Sequence, residues 1–238
     1  WPSLVERTAD EYAEKTYGGG WRGAKSVSAC LDAQFWLNLA LTRPSVNMGK
    51  PHLMWLVGPD YPQTREEFGY LREWSRRCGW QVQASDAQDG SLRMLISHPK
   101  LPGVVEVVTK SATNEESLGS VAPEFIIVCE AGQISEDARD RIRGRSSTFN
   151  SRIIWSGTFE NKDARAQHVW FEREAKQYSD HPTARRHAYK LPIWENIAVY
   201  GDCRTMVDDD ESLGQEFCPD AEHGIGHSGL DADGVPKH

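Results

Sequence analysis

The sequence predicts an α/β fold, a mostly parallel central sheet flanked by helices. Short apolar runs alternate with longer stretches of helical periodicity along most of the chain. The first run leads through a glycine-rich turn into a long helix, and a later run closes on a carboxylate. Hydrophobic residues make up 39% of the sequence and charged residues 26%, ordinary values for a globular protein that argue against a disordered chain.

Taken in order, Lys15 to Tyr17 reads as the first strand and Lys25 to Leu41 as the first helix. Val27, Cys30, Leu31, Phe35, Leu37 and Leu41 are its apolar positions, and Arg43-Pro44 is its stop. Leu53 to Val57 is the next strand. Gln63 to Cys78 follows as a helix, with Phe68, Leu71 and Trp74 at helical spacing. Leu92 to Ile96 and Val104 to Val108 pair about a turn at Pro102-Gly103. Phe125 to Cys129 and Arg152 to Ser156 are further strands, separated by a polar helix from Ser135 to Arg143 that Ser135 caps. Ala164 to Tyr178 carries Val169, Trp170 and Phe171 on a last helix. Trp36, Trp55, Trp74, Trp155 and Trp170 fall on apolar faces, which suits a core better than a base-stacking platform. Apolar periodicity fades from about Gly201. Residues 1–200 are therefore expected to form one domain, and 201–238 a linker or the start of a further domain.

Five cysteines at irregular spacings (Cys30, Cys78, Cys129, Cys203, Cys218) argue against a disulfide framework and for a reducing compartment. Cys203, Cys218, His223 and His227 match no compact zinc pattern. No apolar run approaches the roughly 20 residues that span a bilayer. The chain opens on Trp1 rather than methionine, so its natural start is expected upstream. A net charge of −8 does not suit a free-standing nucleic-acid binder, but the charge is segregated. Acid gathers after Tyr200, at Asp202, Asp208, Asp209, Asp210, Glu211 and Glu216, whereas Arg139 to Arg152 is basic. Arg139, Arg141, Arg143 and Arg145 suit either an arginine offered to a neighbouring subunit's nucleotide or to DNA phosphates, or a solvated helix partnered by Asp137 and Asp140.

The strongest local signal is Gly18-Gly19-Gly20-Trp21-Arg22-Gly23-Ala24-Lys25-Ser26, set between a strand and a helix. Glycines let backbone amides turn towards phosphate, and the helix N-terminus adds partial positive charge. Lys25 would reach the terminal phosphates and the Ser26 hydroxyl would ligate Mg²⁺. Ala24 stands where such P-loops usually have glycine. About a hundred residues later, Phe125-Ile126-Ile127-Val128-Cys129-Glu130 is an apolar strand ending in a carboxylate. Strands of this kind, known as Walker B strands, end in Asp-Glu: the Asp holds the Mg²⁺ shell and the Glu activates water. Glu130 is placed for the second role, and Cys129 occupies the first. Sulfur is a poor ligand for hard Mg²⁺, so another oxygen must compensate or metal binding here is weak. Ile153-Ile154-Trp155-Ser156-Gly157-Thr158 is a third strand, closing on small hydroxyl residues that suit a γ-phosphate sensor.

In this order, the stretches TYGGGWRGAKS, VGPDYPQTREEF (with Asp60, Tyr61 and Arg65), TKSATNEESLGSVAPEFIIVCEAGQIS and IIWSGTFEN resemble the ATPase domain of tailed-phage terminase large subunits. The resemblance runs from about Tyr17 to Glu195. It implies a P-loop NTPase of the ASCE or RecA-like kind that couples ATP hydrolysis, with Mg²⁺, to movement of double-stranded viral DNA into a procapsid. By the resemblance, Gly19, Gly20, Trp21, Arg22, Gly23, Ala24, Lys25 and Ser26 hold the nucleotide. Ser26 also holds the metal, with Cys129 in place of the family's Asp. Arg22 senses the γ-phosphate, Glu130 is the catalytic carboxylate, and Ser156, Gly157 and Thr158 couple hydrolysis to movement. A portal protein, a small terminase subunit, a homo-oligomeric ring and the host cytoplasm are implied by the family only. Full-length members carry a C-terminal nuclease domain. Asp231 and Asp233 read as a solvated tail, and no nuclease activity is expected of this chain. Two alternatives stay open: a helicase-like P-loop DNA-dependent ATPase, and a nucleotide-binding structural module in which Cys129 leaves little or no hydrolysis.

Overall fold

Eight strands form one sheet in a computed structural model that describes residues 13–19, 25–44, 49–88, 90–119, 121–159, 169–183 and 185–191. In chain order they are β1 (Glu14–Gly19), β2 (His52–Gly58), β3 (Gln81–Asp86), β4 (Leu92–Ser97), β5 (Val104–Ser111), β6 (Phe125–Val128), β7 (Arg152–Thr158) and β8 (Arg186–Leu191). Across the sheet the order is β3-β4-β5-β2-β6-β7-β1-β8. The helices among these residues are α1 (Lys25–Leu41), α2 (Arg65–Arg77), the single turn α3 (Glu115–Leu118), α4 (Glu136–Ser146) and α5 (Val169–Asp180). The chain divides into two units, Trp1–Gly18 with Lys25–Lys190, and Gly19–Ala24 with Leu191–His238; the first carries the features that follow.

Parallel pairing joins β5, β2, β6 and β7, whereas β3-β4 and β4-β5 are antiparallel. The sequence dictates this division. β2 is a run of bulky apolar residues buried almost throughout, as a strand covered on both faces requires. β5 alternates buried and less buried positions. β3 (QVQASD) is exposed along nearly all its length and lies at the sheet's edge. Pairing Val57 with Val128, and Val128 with Trp155, brings the C-terminal ends of β2, β6 and β7 to one edge of the sheet. The Ala13 carbonyl accepts from the Ile153 amide at 2.9 Å, tying the entry to β1 to the start of β7.

Side-chain alternation sends two apolar sets to opposite faces. On one face, Trp55 and Val57, Ile126 and Val128, and Ile153 and Trp155 pack with Ile134, Ala138, Ile142, Trp170 and Phe171. Trp155 and Trp170 meet edge to face at 5.4 Å, and the Trp170 indole N–H donates to the Ile134 carbonyl at 2.6 Å. Trp36 and Trp74 are half-buried instead, stacked on Phe125 and Tyr70.

α1 buries small residues, Ala29, Cys30, Ala33 and Ala40, along with Leu37 and Leu41. Leu31 and Phe35, expected inward, are 39% and 46% exposed. The narrow side of the helix is the one that fits closely against the strands. Its end is fixed by the β4–β5 turn, where the Gly103 amide donates to the Leu41 carbonyl at 2.9 Å. A methyl group at Gly103 would collide with the Ala40 carbonyl. The glycine of the expected turn is thus also the helix stop.

Candidate nucleotide site

The two elements that flank the glycine-rich loop are clamped together. The Lys15 ammonium donates to both Asp32 oxygens, at 3.1 and 2.9 Å, and the Tyr17 hydroxyl donates to Asp32 Oδ2 at 2.8 Å. All three residues are buried. Burial, and then the Asp32 charge, push the Tyr17 hydroxyl well above its ordinary range, so it is a fixed donor. A buried ammonium, carboxylate and phenol that satisfy one another hold β1 and α1 in register. Gly20, Trp21, Arg22, Gly23 and Ala24 lie outside the described residues, and Gly19 ends β1.

Lys25 is the first residue of α1 and is buried. Burial pulls its ammonium below the usual lysine range, and the Glu130 carboxylate opposes that shift. The two charges are therefore within electrostatic reach at the C-terminal edge of the sheet. Glu130 follows β6 with φ 48° and ψ 48°, the left-handed region that non-glycine residues rarely occupy. Strain of this kind persists only where surrounding structure imposes it. Here the imposing contacts are visible: the Gln133 amide donates to the Glu130 carbonyl at 2.8 Å, closing the short turn Ala131–Gln133.

The tip of β7 rests directly on that turn. A methyl group at Gly157 would lie 2.8 Å from the Ala131 nitrogen, and one at Gly132 would collide with the Thr158 carbonyl. Two glycines thus let the Ser156-Gly157-Thr158 strand end and the turn after Glu130 touch backbone to backbone. Ser156 is buried within β7, which lies between β1 and β6 in the sheet. Gln63, before α2, reaches the same turn by donating from Nε2 to Gln133 Oε1 at 2.7 Å.

Behind Lys25 lies a group that the sequence analysis did not single out. The Ser26 hydroxyl donates to Glu67 Oε1 at 2.6 Å. Glu67 belongs to the first turn of α2 and is 3% exposed, whereas its neighbour Glu66 faces outward and accepts from the Tyr70 hydroxyl. The other Glu67 oxygen, Oε2, is buried without a hydrogen-bond partner. The Cys129 thiol faces this carboxyl, but a thiol is a weak donor and leaves Oε2 unsatisfied. Burial pushes the Glu67 carboxyl above its ordinary range, with the Ser26 hydrogen bond opposing. Burial and then the Glu67 charge push the Cys129 thiol well up, so it is a neutral thiol. Cys30 completes the group, its thiol donating to the Glu67 carbonyl at 3.8 Å. The available signal was periodicity: Glu67 shares a helix face with Leu71 and Ser75, both fully buried.

The donor set fits a hard cation in part. The Ser26 hydroxyl supplies oxygen, whereas the neutral Cys129 sulfur does not suit Mg²⁺. Among the described residues no three or more His, Cys, Asp or Glu gather as an all-protein metal site.

Two arginines of α4, Arg139 and Arg143, turn inward. Arg139 pairs with Asp140 at 2.9 Å and Glu174 at 3.1 Å and lies over the Trp170 ring. Arg143 pairs with Glu14 at 2.9 Å and Glu174 at 2.6 Å, over Trp155. Offering either guanidinium to DNA or to a neighbouring nucleotide requires these pairs to open. Arg145 is half-buried and Arg141 exposed.

No family model matches the sequence, and no curated protein matches it. Solved structures do. The large terminase of the thermophilic bacteriophage D6E superposes with a TM-score of 0.59 and 12% identity over 82% of this chain. The chain spans less than half of that protein, 44% of its length. The large terminase ATPase domain of Thermus phage P74-26 gives a TM-score of 0.54 and 16% identity, covering 83% of this chain and 82% of that domain. The fold is that of phage large-terminase ATPase domains. The D6E protein has also been solved with ADP, at a TM-score of 0.58 and 10% identity over 82% of this chain and 44% of its own. No helix among the described residues is long and apolar enough to cross a membrane.

Proposed function

We propose that the chain is an ATP-hydrolysing motor domain of a viral DNA-packaging terminase. The observation that carries the reading is that buried Lys25 opens the helix after β1 and lies within electrostatic reach of the Glu130 carboxylate that follows β6. Between their strands lies β7, whose tip packs on the turn that holds Glu130. In this reading the loop 19–26 cradles the phosphates, Lys25 meets the terminal ones, and Arg22 senses the γ-phosphate. Glu130 orients the attacking water and accepts its proton. Mg²⁺, when bound, neutralises charge on the phosphate oxygens, and Ser26 is placed to hold it. A shift at Glu130 passes through Ala131 and Gly132 to the β7 tip, and from there to a DNA-gripping surface. Double-stranded viral DNA, a portal protein, a small terminase subunit and a ring of copies of this chain are the partners that follow, with assembly in the host cytoplasm. Residues 201–238, outside the described residues, would be a linker or the start of a further domain. Arg139, Arg143 and Arg145 remain candidates for contacts to DNA or to a neighbouring nucleotide, once the internal pairs of the first two open.

The test is the Lys25→Ala variant. It is expected to lose ATP turnover and to weaken binding of a fluorescent ATP analogue at least tenfold. Undiminished turnover in that variant contradicts the proposal. A second reading, a nucleotide-binding module without hydrolysis, is favoured by the neutral, fully buried Cys129. It predicts analogue binding to the wild type with no turnover at any Mg²⁺ concentration.

A further inference from the structure

Position 129 lacks the acid that an Mg²⁺-dependent ATPase of this kind places at the end of the strand, yet a carboxylate is present within the same group of side chains. From the hydrogen bond between Ser26 and the buried Glu67, we infer that Glu67 replaces the missing aspartate as the carboxylate that holds the nucleotide's Mg²⁺. This assignment rests on the ATPase reading.

Three observations carry it. First, Ser26, the hydroxyl placed to ligate the metal, already touches Glu67 Oε1 at 2.6 Å, so a cation that engages the hydroxyl has this carboxylate as its neighbour. Second, Oε2 is buried, 3% exposure for the whole residue, with no hydrogen-bond partner beyond the weakly donating Cys129 thiol. An orphaned buried carboxylate oxygen is costly, and cation coordination, directly or through a bound water, relieves that cost. Third, the Cys129 thiol faces the carboxyl from the end of β6. An aspartate at 129 would set a second carboxylate against Glu67, where like charges disfavour double ionisation. One acid on α2 and a neutral residue on β6 therefore form a consistent pair, and the departure at position 129 is balanced by Glu67. Mg²⁺ at nucleotide sites takes one or two carboxylates together with phosphate oxygens and water, so one acid and one hydroxyl suffice.

The experiment titrates MgCl₂ against equilibrium binding of a fluorescent, non-hydrolysable ATP analogue to the full chain, so turnover plays no part. Glu67→Gln keeps the side-chain shape and an acceptor for Ser26 while removing the charge. It is expected to raise the half-saturating Mg²⁺ concentration at least tenfold, with binding in EDTA unchanged. Adding Cys129→Asp to that variant is expected to restore most of the Mg²⁺ response, and Cys129→Ala alone to leave it unchanged. Should Glu67→Gln fail to fold, judged by its melting curve, the Cys129→Ala arm decides: a tenfold loss there makes position 129 the metal position and overturns the assignment. An unaltered Mg²⁺ response in folded Glu67→Gln overturns it too, while leaving the ATPase reading intact. No analogue binding to the wild type at any Mg²⁺ concentration overturns both.

Discussion

Replacing Gly157 by alanine tests the link between the tip of β7 and the turn that carries Glu130. The added methyl would sit 2.8 Å from the Ala131 nitrogen, 2.9 Å from the Gly132 nitrogen and 3.2 Å from Phe171 Cε1. Two of these neighbours are backbone atoms, so no rotamer change relieves them. Ordinary van der Waals separation requires the turn to move by about half an ångström. Overpacking of this kind costs about 1–3 kcal/mol. Because the turn sets the left-handed conformation of Glu130, the same shift displaces the carboxylate. Displacements approaching 1 Å cost about a hundredfold in rate, so a loss of about tenfold or more in kcat is expected. Binding of the ATP analogue should change by less than threefold, because Lys25 and Ser26 lie on another element. Gly144→Ala is the control: nothing lies within 4 Å of the added methyl in α4, and stability should hold or rise by up to about 1 kcal/mol. Denaturant unfolding and steady-state kinetics of both variants decide the matter. A Gly157→Ala variant as stable and as active as wild type refutes the mechanical link.

Two further outcomes follow from buried charges. Asp32→Ala leaves the Lys15 ammonium, 6% exposed, without its carboxylate and is expected to cost about 3–5 kcal/mol in urea unfolding; a loss below about 1 kcal/mol would show that the clamp contributes little. His52 donates through Nδ1 to Glu124 at 2.7 Å and through Nε2 to the Arg43 carbonyl at 3.0 Å, an arrangement that only the imidazolium satisfies at both ends. The Glu124 hydrogen bond raises the His52 pKa against the opposing effect of burial. Its stabilisation should therefore be complete below the unfolded value of about 6.5 and fade as pH rises through the higher folded value. Unfolding curves from pH 5.5 to 9 should show this decline in wild type and not in His52→Ala.

The sequence made some of this architecture readable and concealed the rest for physical reasons. β2 and β6 are apolar nearly end to end and β7 carries the apolar run Ile153-Ile154-Trp155, because these strands are buried in the sheet, and such runs stand out. β3 did not, because an exposed edge strand needs no apolar alternation. The N-cap of α4 was legible, as the Ser135 side chain accepts from the Ala138 amide. The three residues by which α4 outruns its expected end were not: Arg143 is anchored by Glu14, 129 positions away in sequence. Lys25, Ser26 and Glu130 could be picked out as candidates because each sits in a local motif. Glu67 was not, since its partner Ser26 lies 41 positions away and two adjacent glutamates in a first helical turn look like a charged N-terminus. The left-handed backbone at Glu130 has no signature in a non-glycine residue.

The central claim is that a carboxylate at the end of β6 activates water against a nucleotide held by Lys25. Glu130→Gln tests it most directly, because the amide keeps the side-chain shape and removes the base. Single-turnover hydrolysis of ATP by the variant should fall about 10²- to 10⁴-fold while the ATP analogue binds as tightly as to wild type. Hydrolysis at the wild-type rate in Glu130→Gln would contradict the account.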